Sequence, residues 1–264
     1  MDPKYFKFHI DERGVAYISL NRPEIHNAFN DEFINELNLC FKSLDLNEDI
    51  NLVVIQGEGK SFCAGADLNW MKKMVDYGHE ENYEDSRRLS TLFQNINHCR
   101  FPVLGIIQGA ALGGGSGLVA CCDYALASEK AVFGFTEVRL GLVPAVISPF
   151  VISKIGESHA RALFLSGTKF SAEEAHRIGL VHGVCKEEEF QEKKESLIKS
   201  FLKAGPVARM KAKSLIQNVI ELTHKGDILE VTDYTCHIIS ELRVSKEGQE
   251  GMSSLLEKRP SKWS

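Results

Sequence analysis

The chain has 264 residues, 44% of them hydrophobic and 25% charged, a balance that supports one large buried core with a smaller appendage. A net charge of −5, with lysines and arginines scattered along the sequence, excludes the basic footprint of a nucleic-acid binder. The seven cysteines form no C-x-x-C pair and the nine histidines carry no metal-ligand spacing, which predicts free thiols in a reducing, cytoplasmic setting and no bound metal.

The opening "MDPKYFKFHI" has an acidic residue at position 2 and no apolar run, so no signal peptide is expected. "KYFKFHI" and "GVAYISLN" are rich in β-branched and aromatic residues, and "DERG" between them predicts a hairpin turn. A helix is predicted over 31–45, with Phe33, Leu37, Phe41 and Leu44 on one face and Asn30 or Asp31 as its cap. "NLVVIQG" follows as a short buried strand. The charged stretch 76–86 predicts a mobile loop, and 86–97 a helix. The strand "PVLGIIQ", a helix opening at Gly114 and the strand "DYALAS" continue the alternation, which suggests parallel pairing in an α/β fold. Ser171 and Glu174 form a capping-box pattern, and "LVHGV" is a further strand. Helices are then predicted at 188–203, 206–222, 226–242 and 246–257, with Pro206 starting one and Gly205 stopping its predecessor. The expected division is a core over 1–200 and a helical region over 201–264.

Between Arg100 and Asp123 lie 22 residues without a charge or a histidine. The run is long enough to cross a bilayer, but Pro102, Gln108, Ser116 and six glycines favour a buried strand followed by a buried helix, and no membrane span is expected. Within it, Gly115, Gly117 and Ala120 fit a relaxed dinucleotide pattern, with Glu137 downstream as a ribose ligand. Six residues, "GAALGG", separate that pattern from its strand, whereas the fingerprint needs the turn at the strand's end. A phosphate loop at Gly59-Lys60-Ser61 fails because Val54 stands where its first glycine belongs, and no serine has the G-x-S-x-G context. Another reading is an oxyanion hole: a helix N-terminus offers unpaired backbone N–H groups, and glycine lets a carbonyl approach them. Close helix packing calls for the same glycines. A second small-residue turn before a helix, "GKSFCAGADLNWM", would supply a second N–H to the same oxygen.

With these turns in place, the chain resembles the enoyl-CoA hydratase/isomerase (crotonase) superfamily. The resemblance runs in order through "NRPEIHNAF", "SFCAGADL", "GAALGGGSGLVACCD", "FGFTEVRLGLVPAVISPFV", "ALFLSGTKFSAEEAHRIGLV" and "EGMSSLLEKRP". "AGADLNWM" with "TEVRLGLVPAVISPFV" is most similar to bacterial methylglutaconyl-CoA hydratases and the related carboxygeranoyl-CoA hydratases. The resemblance implies a crotonase-like spiral of ββα repeats with a helical C-terminal region, assembled as a homotrimer or homohexamer. It implies an acyl-CoA thioester substrate from leucine, isoprenoid-acid or fatty-acid breakdown, and no cofactor beyond the coenzyme A moiety of that substrate. The backbone N–H groups of Ala66 and Gly114 would form the oxyanion hole, and His26, Ala28, Ala64, Ala66, Asp67, Leu68 and Gly114 would line the coenzyme A site. Glu137 would be the acid/base residue. Hydratases of the family carry a further glutamate where this chain has Gly117; the resemblance implies an enoyl-CoA hydratase, with single-glutamate isomerisation and non-catalytic acyl-CoA binding as the alternatives. Arg139, Arg87, Lys72 and Lys73 are candidates to meet a second carboxylate on the acyl chain.

Overall fold

The β-branched and aromatic runs become strands, as their fit to a pleated, half-buried surface requires. The computed structural model describes residues 3–263, so Met1, Asp2 and Ser264, including the acidic residue read at position 2, lie outside the described residues. The chain divides into two compact units, one of Met1–Cys99 and Val103–Lys194 and the other of Arg100–Pro102 and Glu195–Ser264.

In the first unit a six-stranded sheet is built from β1 (Phe6–Ile10), β2 (Val15–Leu20), β3 (Leu52–Gly57), β4 (Val103–Ile107), β6 (Tyr124–Ser128) and β9 (Gly183–Cys185), in that spatial order. Strands β1 and β2 form the expected antiparallel hairpin, whose turn is held by Asp11 accepting from Arg13 N (2.9 Å) and Val15 N (3.0 Å). The other neighbours in this sheet pair in parallel, as buried strands alternating with helices do. A second sheet holds β5 (Ala110–Leu112), β7 (Val132–Gly134) and β8 (Lys169–Ser171), with β5 parallel and β8 antiparallel to β7. Strand β5 explains the six-residue "GAALGG" gap: the chain leaves β4, enters the other sheet, and only then opens a helix.

The helices of this unit are α1 (Asp31–Leu44), α2 (Leu68–Met74), α3 (His79–Asn97), α4 (Gly114–Cys121), α5 (Ser148–Ser166) and α6 (Ala172–Arg177). Helix α1 buries Phe33, Leu37, Phe41 and Leu44, and the Asn30 side chain caps it by accepting from Phe33 N at 2.9 Å. Ser171 caps α6 by accepting from Glu174 N at 3.2 Å. Helix α3 corrects the expected loop at 76–86. Gly78 N donates to Glu81 Oε2 at 2.8 Å, so the acidic stretch is the capped first turns of a helix, with Glu80 and Glu81 exposed and Asp85 buried and paired with Arg88. The strand expected at "LVHGV" is shifted to β9, because Leu180 N and Val181 N both donate to Ala175 O and close the end of α6.

Helix α7 (Phe190–Leu202) crosses the boundary between units in the sequence, and α8 (Pro206–Lys225), α9 (Ile228–Val244) and α10 (Lys246–Leu256) complete the second unit. Glu247 caps α8, accepting from Val207 N (2.9 Å) and Ala208 N (2.7 Å). The ammonium of Lys213, buried on α8, donates to Phe101 O at 3.1 Å. No side chain of α9 is buried, although Leu229 and Val244 on it are apolar and 77% and 79% exposed. Among the described residues, no helix is long and apolar enough to cross a membrane.

Candidate active site

Three stretches of the first unit lie side by side. The chain at 62–63 runs parallel to β5, with Phe62 N donating to Gln108 O (2.7 Å), Cys63 N to Ala110 O (3.0 Å) and Leu112 N to Cys63 O (3.0 Å). On its other side the 26–29 loop is joined by Ala64 N to His26 O (2.9 Å), Phe29 N to Gly65 O (2.9 Å) and Asp67 N to Phe29 O (2.9 Å). Among the described residues, these bonds leave the N–H groups of Ala66 and Gly114 without a backbone acceptor. Gly65, at φ 95°, brings the two turns together: a carbon built on it would stand 4.0 Å from Gly114 N.

Each member of the triple glycine meets a different neighbour. A carbon built on Gly113 would lie 3.1 Å from Glu137 Oε1, one on Gly114 2.3 Å from Phe29 Cζ, and one on Gly115 2.1 Å from Cys63 O. A side chain at any of the three would crowd that neighbour. Gly114 is the first residue of α4, where a helix leaves its N–H groups free and its dipole positive.

Glu137 arrives through β7. That strand pairs with β5 so that Leu112 faces Gly134, and the chain then turns through a 3-10 segment at Glu137–Leu140 beside the start of α4. Ser116 locks α4 to both strands, donating to Ala111 O at 2.6 Å and lying 3.3 Å from Gly134 O. Glu137 Oε2 is buried with no hydrogen-bond partner among the described residues. Burial pushes its carboxyl above the ordinary carboxylate range, against a smaller opposing contribution from its own backbone N–H. The thiol of Cys63, beneath the turn, is pushed up to about 12 by burial and offers no thiolate at neutral pH.

Arg22 organises the first turn. It donates to Asp67 Oδ2 (2.8 Å) and Ala28 O (2.7 Å), joining the 22–28 loop to the start of α2. Burial raises the Asp67 carboxyl, but bonds from Asn69 N and Arg22 outweigh it and hold the group below its usual range. The Asp67 carboxylate is thus committed to the fold. His26 is exposed, with Nδ1 3.0 Å from Ser61 Oγ, and Ala28 is buried. Ala64 is half-buried and Leu68 is exposed at the first position of α2. Of the expected cations, Arg87 pairs loosely with Glu84 at 3.8 Å, and Arg139, Lys72 and Lys73 are exposed. Among the described residues, no cluster of His, Cys, Asp or Glu has the arrangement of a metal site.

Sequence reasoning passed over Arg22, Phe29 and Trp70. The Trp70 ring packs edge-on against Phe29, with centroids 6.3 Å apart, and its buried Nε1–H has no acceptor among the described residues. Arg22 stood inside the "NRPEIHNAF" motif, but no local rule reveals a partner 45 positions away.

Residues 11–264 match the profile of the family described as Enoyl-CoA hydratase/isomerase. The chain belongs to the enoyl-CoA hydratase/isomerase family. A relative from Thermus thermophilus, provisionally named as an enoyl-CoA hydratase, is 31% identical over 256 residues, covering 96% of this chain and 99% of its own. Among solved structures, a Legionella pneumophila protein provisionally assigned as an enoyl-CoA hydratase/isomerase (crotonase) is 37% identical, with a TM-score of 0.91 over 98% of this chain and 99% of its own. An enoyl-CoA hydratase from Shewanella pealeana is 34% identical, with the same TM-score of 0.91 and coverage of 98% and 96%. The fold is the α/β crotonase fold, with mixed sheets and a helical C-terminal region.

Proposed function

We propose that the chain is an enoyl-CoA hydratase, adding water across the double bond of an α,β-unsaturated acyl-CoA thioester. The observation that carries this reading is the meeting of two free backbone N–H turns, Gly65–Ala66 and Gly113–Gly114, beside the half-buried carboxyl of Glu137. The thioester oxygen accepts from Ala66 N and Gly114 N. Glu137 takes a proton from water as the oxygen bonds to C3, the π electrons move through C2 onto the thioester oxygen, and the carboxyl returns a proton to C2. In a dry site each such donor lowers the barrier by about 3–4 kcal/mol, and a placed carboxyl adds roughly 10²–10⁴-fold. Coenzyme A lies along His26, Ala28, Ala64 and Leu68 and is the only cofactor-like group required.

The substrate in this reading is of the methylglutaconyl type, on the strength of the "AGADLNWM" and "TEVRLGLVPAVISPFV" segments. A second reading, isomerisation by a proton moved between C2 and C4, is favoured by the absence of a carboxyl at Gly117. The deciding experiment follows the conjugated-thioester absorbance with methylglutaconyl-CoA, crotonyl-CoA and a 3-enoyl-CoA. Hydration removes the band, with methylglutaconyl-CoA preferred over crotonyl-CoA. Appearance of the band from the 3-enoyl substrate is isomerisation, and silence with all three overturns the catalytic reading. Equal efficiency with the first two rejects the substrate assignment alone.

A further inference from the structure

Gly117 sits one helical turn beyond Gly113, to whose carbonyl its N–H donates at 3.1 Å, and it follows Gly114 by three residues on α4. A carbon built on Gly117 would fall 2.3 Å from Ile147 Cγ2, 3.0 Å from Ile147 Cβ and 3.1 Å from Phe93 Cζ. Ile147 is 3% exposed, and its carbonyl accepts from Val151 N at 3.0 Å, which ties its backbone to the start of α5. Phe93 is fully buried on α3 and packs against Phe150 with ring centroids 6.0 Å apart. Neither neighbour has an open side to swing into, and a β-branched side chain has few rotamers to offer. The surface of α4 below Gly114 is therefore filled from outside the helix.

We propose that Ile147, braced by Phe93, is a specificity-determining residue that occupies the room a side chain at position 117 would need. It fills that side of α4 with hydrocarbon and leaves Glu137 as the single ionising acid/base group of the site. The proposal rests on the hydratase reading above for its chemistry, but not for its packing. Positions 117 and 147 are one coupled unit: a side chain enters at 117 only when the side chain at 147 leaves.

The test is a double-substitution cycle of Gly117→Ala and Ile147→Gly, with Gly117→Glu/Ile147→Gly as an added variant. Thermal midpoints are read without substrate, and kcat/KM is read against pH with the preferred thioester. Gly117→Ala alone is expected to lower the midpoint and cut kcat/KM at least tenfold. Combined with Ile147→Gly it loses less than the two single effects together, in both readouts. The wild type shows one ionisation in its acid limb, and Gly117→Glu/Ile147→Gly adds a second, a change that packing alone does not produce. Additive midpoints, or a Gly117→Ala variant as stable and active as the wild type, overturn the coupling. A second acid-limb ionisation in the wild type, or none added by the glutamate variant, overturns the single-carboxylate claim. If the wild type is inert to every thioester, the hydratase reading and the single-carboxylate claim fall together, while the midpoints still decide the packing claim.

Discussion

Glu137 has one oxygen beside the Gly113 backbone and one sealed from solvent and from every donor among the described residues. An unsatisfied buried oxygen is a cost that the fold sustains, and it is greatest when the group is charged. Because burial raises the folded-state pKa, the folded chain holds its proton to higher pH than the unfolded chain does. The stability this group contributes is thus complete below the ordinary carboxylate range and is lost as pH rises through the raised value. Glu137→Gln is expected to raise the thermal midpoint near neutrality, by a margin that shrinks toward acid, while cutting turnover by roughly 10²–10⁴. Parallel melting curves and rates at several pH values check both halves. If Glu137 acts as a base, wild-type kcat/KM climbs through the same raised value instead of at the ordinary one. The residue was legible in the sequence through "FGFTEVRLG"; its unpartnered oxygen was not, since that depends on β5 and β7 pairing residues 22 positions apart, Ala110 with Val132.

The turn from Cys63 to Asp67 depends on a guanidinium from another loop. The Arg22–Asp67 pair is largely buried, with 16% and 8% of the two side chains exposed. Removing one partner from such a pair leaves an uncompensated charge and costs about 3–5 kcal/mol. Arg22→Ala is expected to destabilise by that order in denaturant titrations and to reduce kcat through displacement of the Ala66 N–H. Arg22→Lys recovers little, because an ammonium does not reproduce the planar fork that reaches Asp67 and Ala28 O together. The pair's contribution is present above the ordinary aspartate range and fades as acid protonates Asp67 through its lowered value. At this scale the long periodic segments, α1 and the buried parallel strands, were readable from composition and spacing. The three-residue strands β5, β7 and β8 were not, because so short a run takes its conformation from its neighbours. The start of α3 was obscured by acidic residues that look like a loop yet suit a helix N-terminus.

Across the whole molecule, exposed large apolar side chains occur in both units, and on α9 and α10 they stand on helices that bury little. Leu255 and Leu256 at the end of α10 are 78% and 83% exposed, and α9 buries nothing. Exposed apolar groups of this density mark association surfaces, in keeping with the trimer or hexamer that the family resemblance implies. Sedimentation is expected to give a multiple of three protomers, and Leu229→Lys with Val244→Lys to shift the distribution toward smaller species; a wild-type monomer would contradict both.

The placement of Arg100–Pro102 in the second unit has a consequence for how the chain can be cut. The helical end is not an independent module appended after Lys194, for it includes a three-residue strap taken from the middle of the sequence. A fragment beginning at Glu195 would keep the Lys213 ammonium and leave behind the Phe101 carbonyl that receives it. Expressed alone it should be poorly folded by circular dichroism, and it should recover helix when mixed with the complementary fragment ending at Lys194.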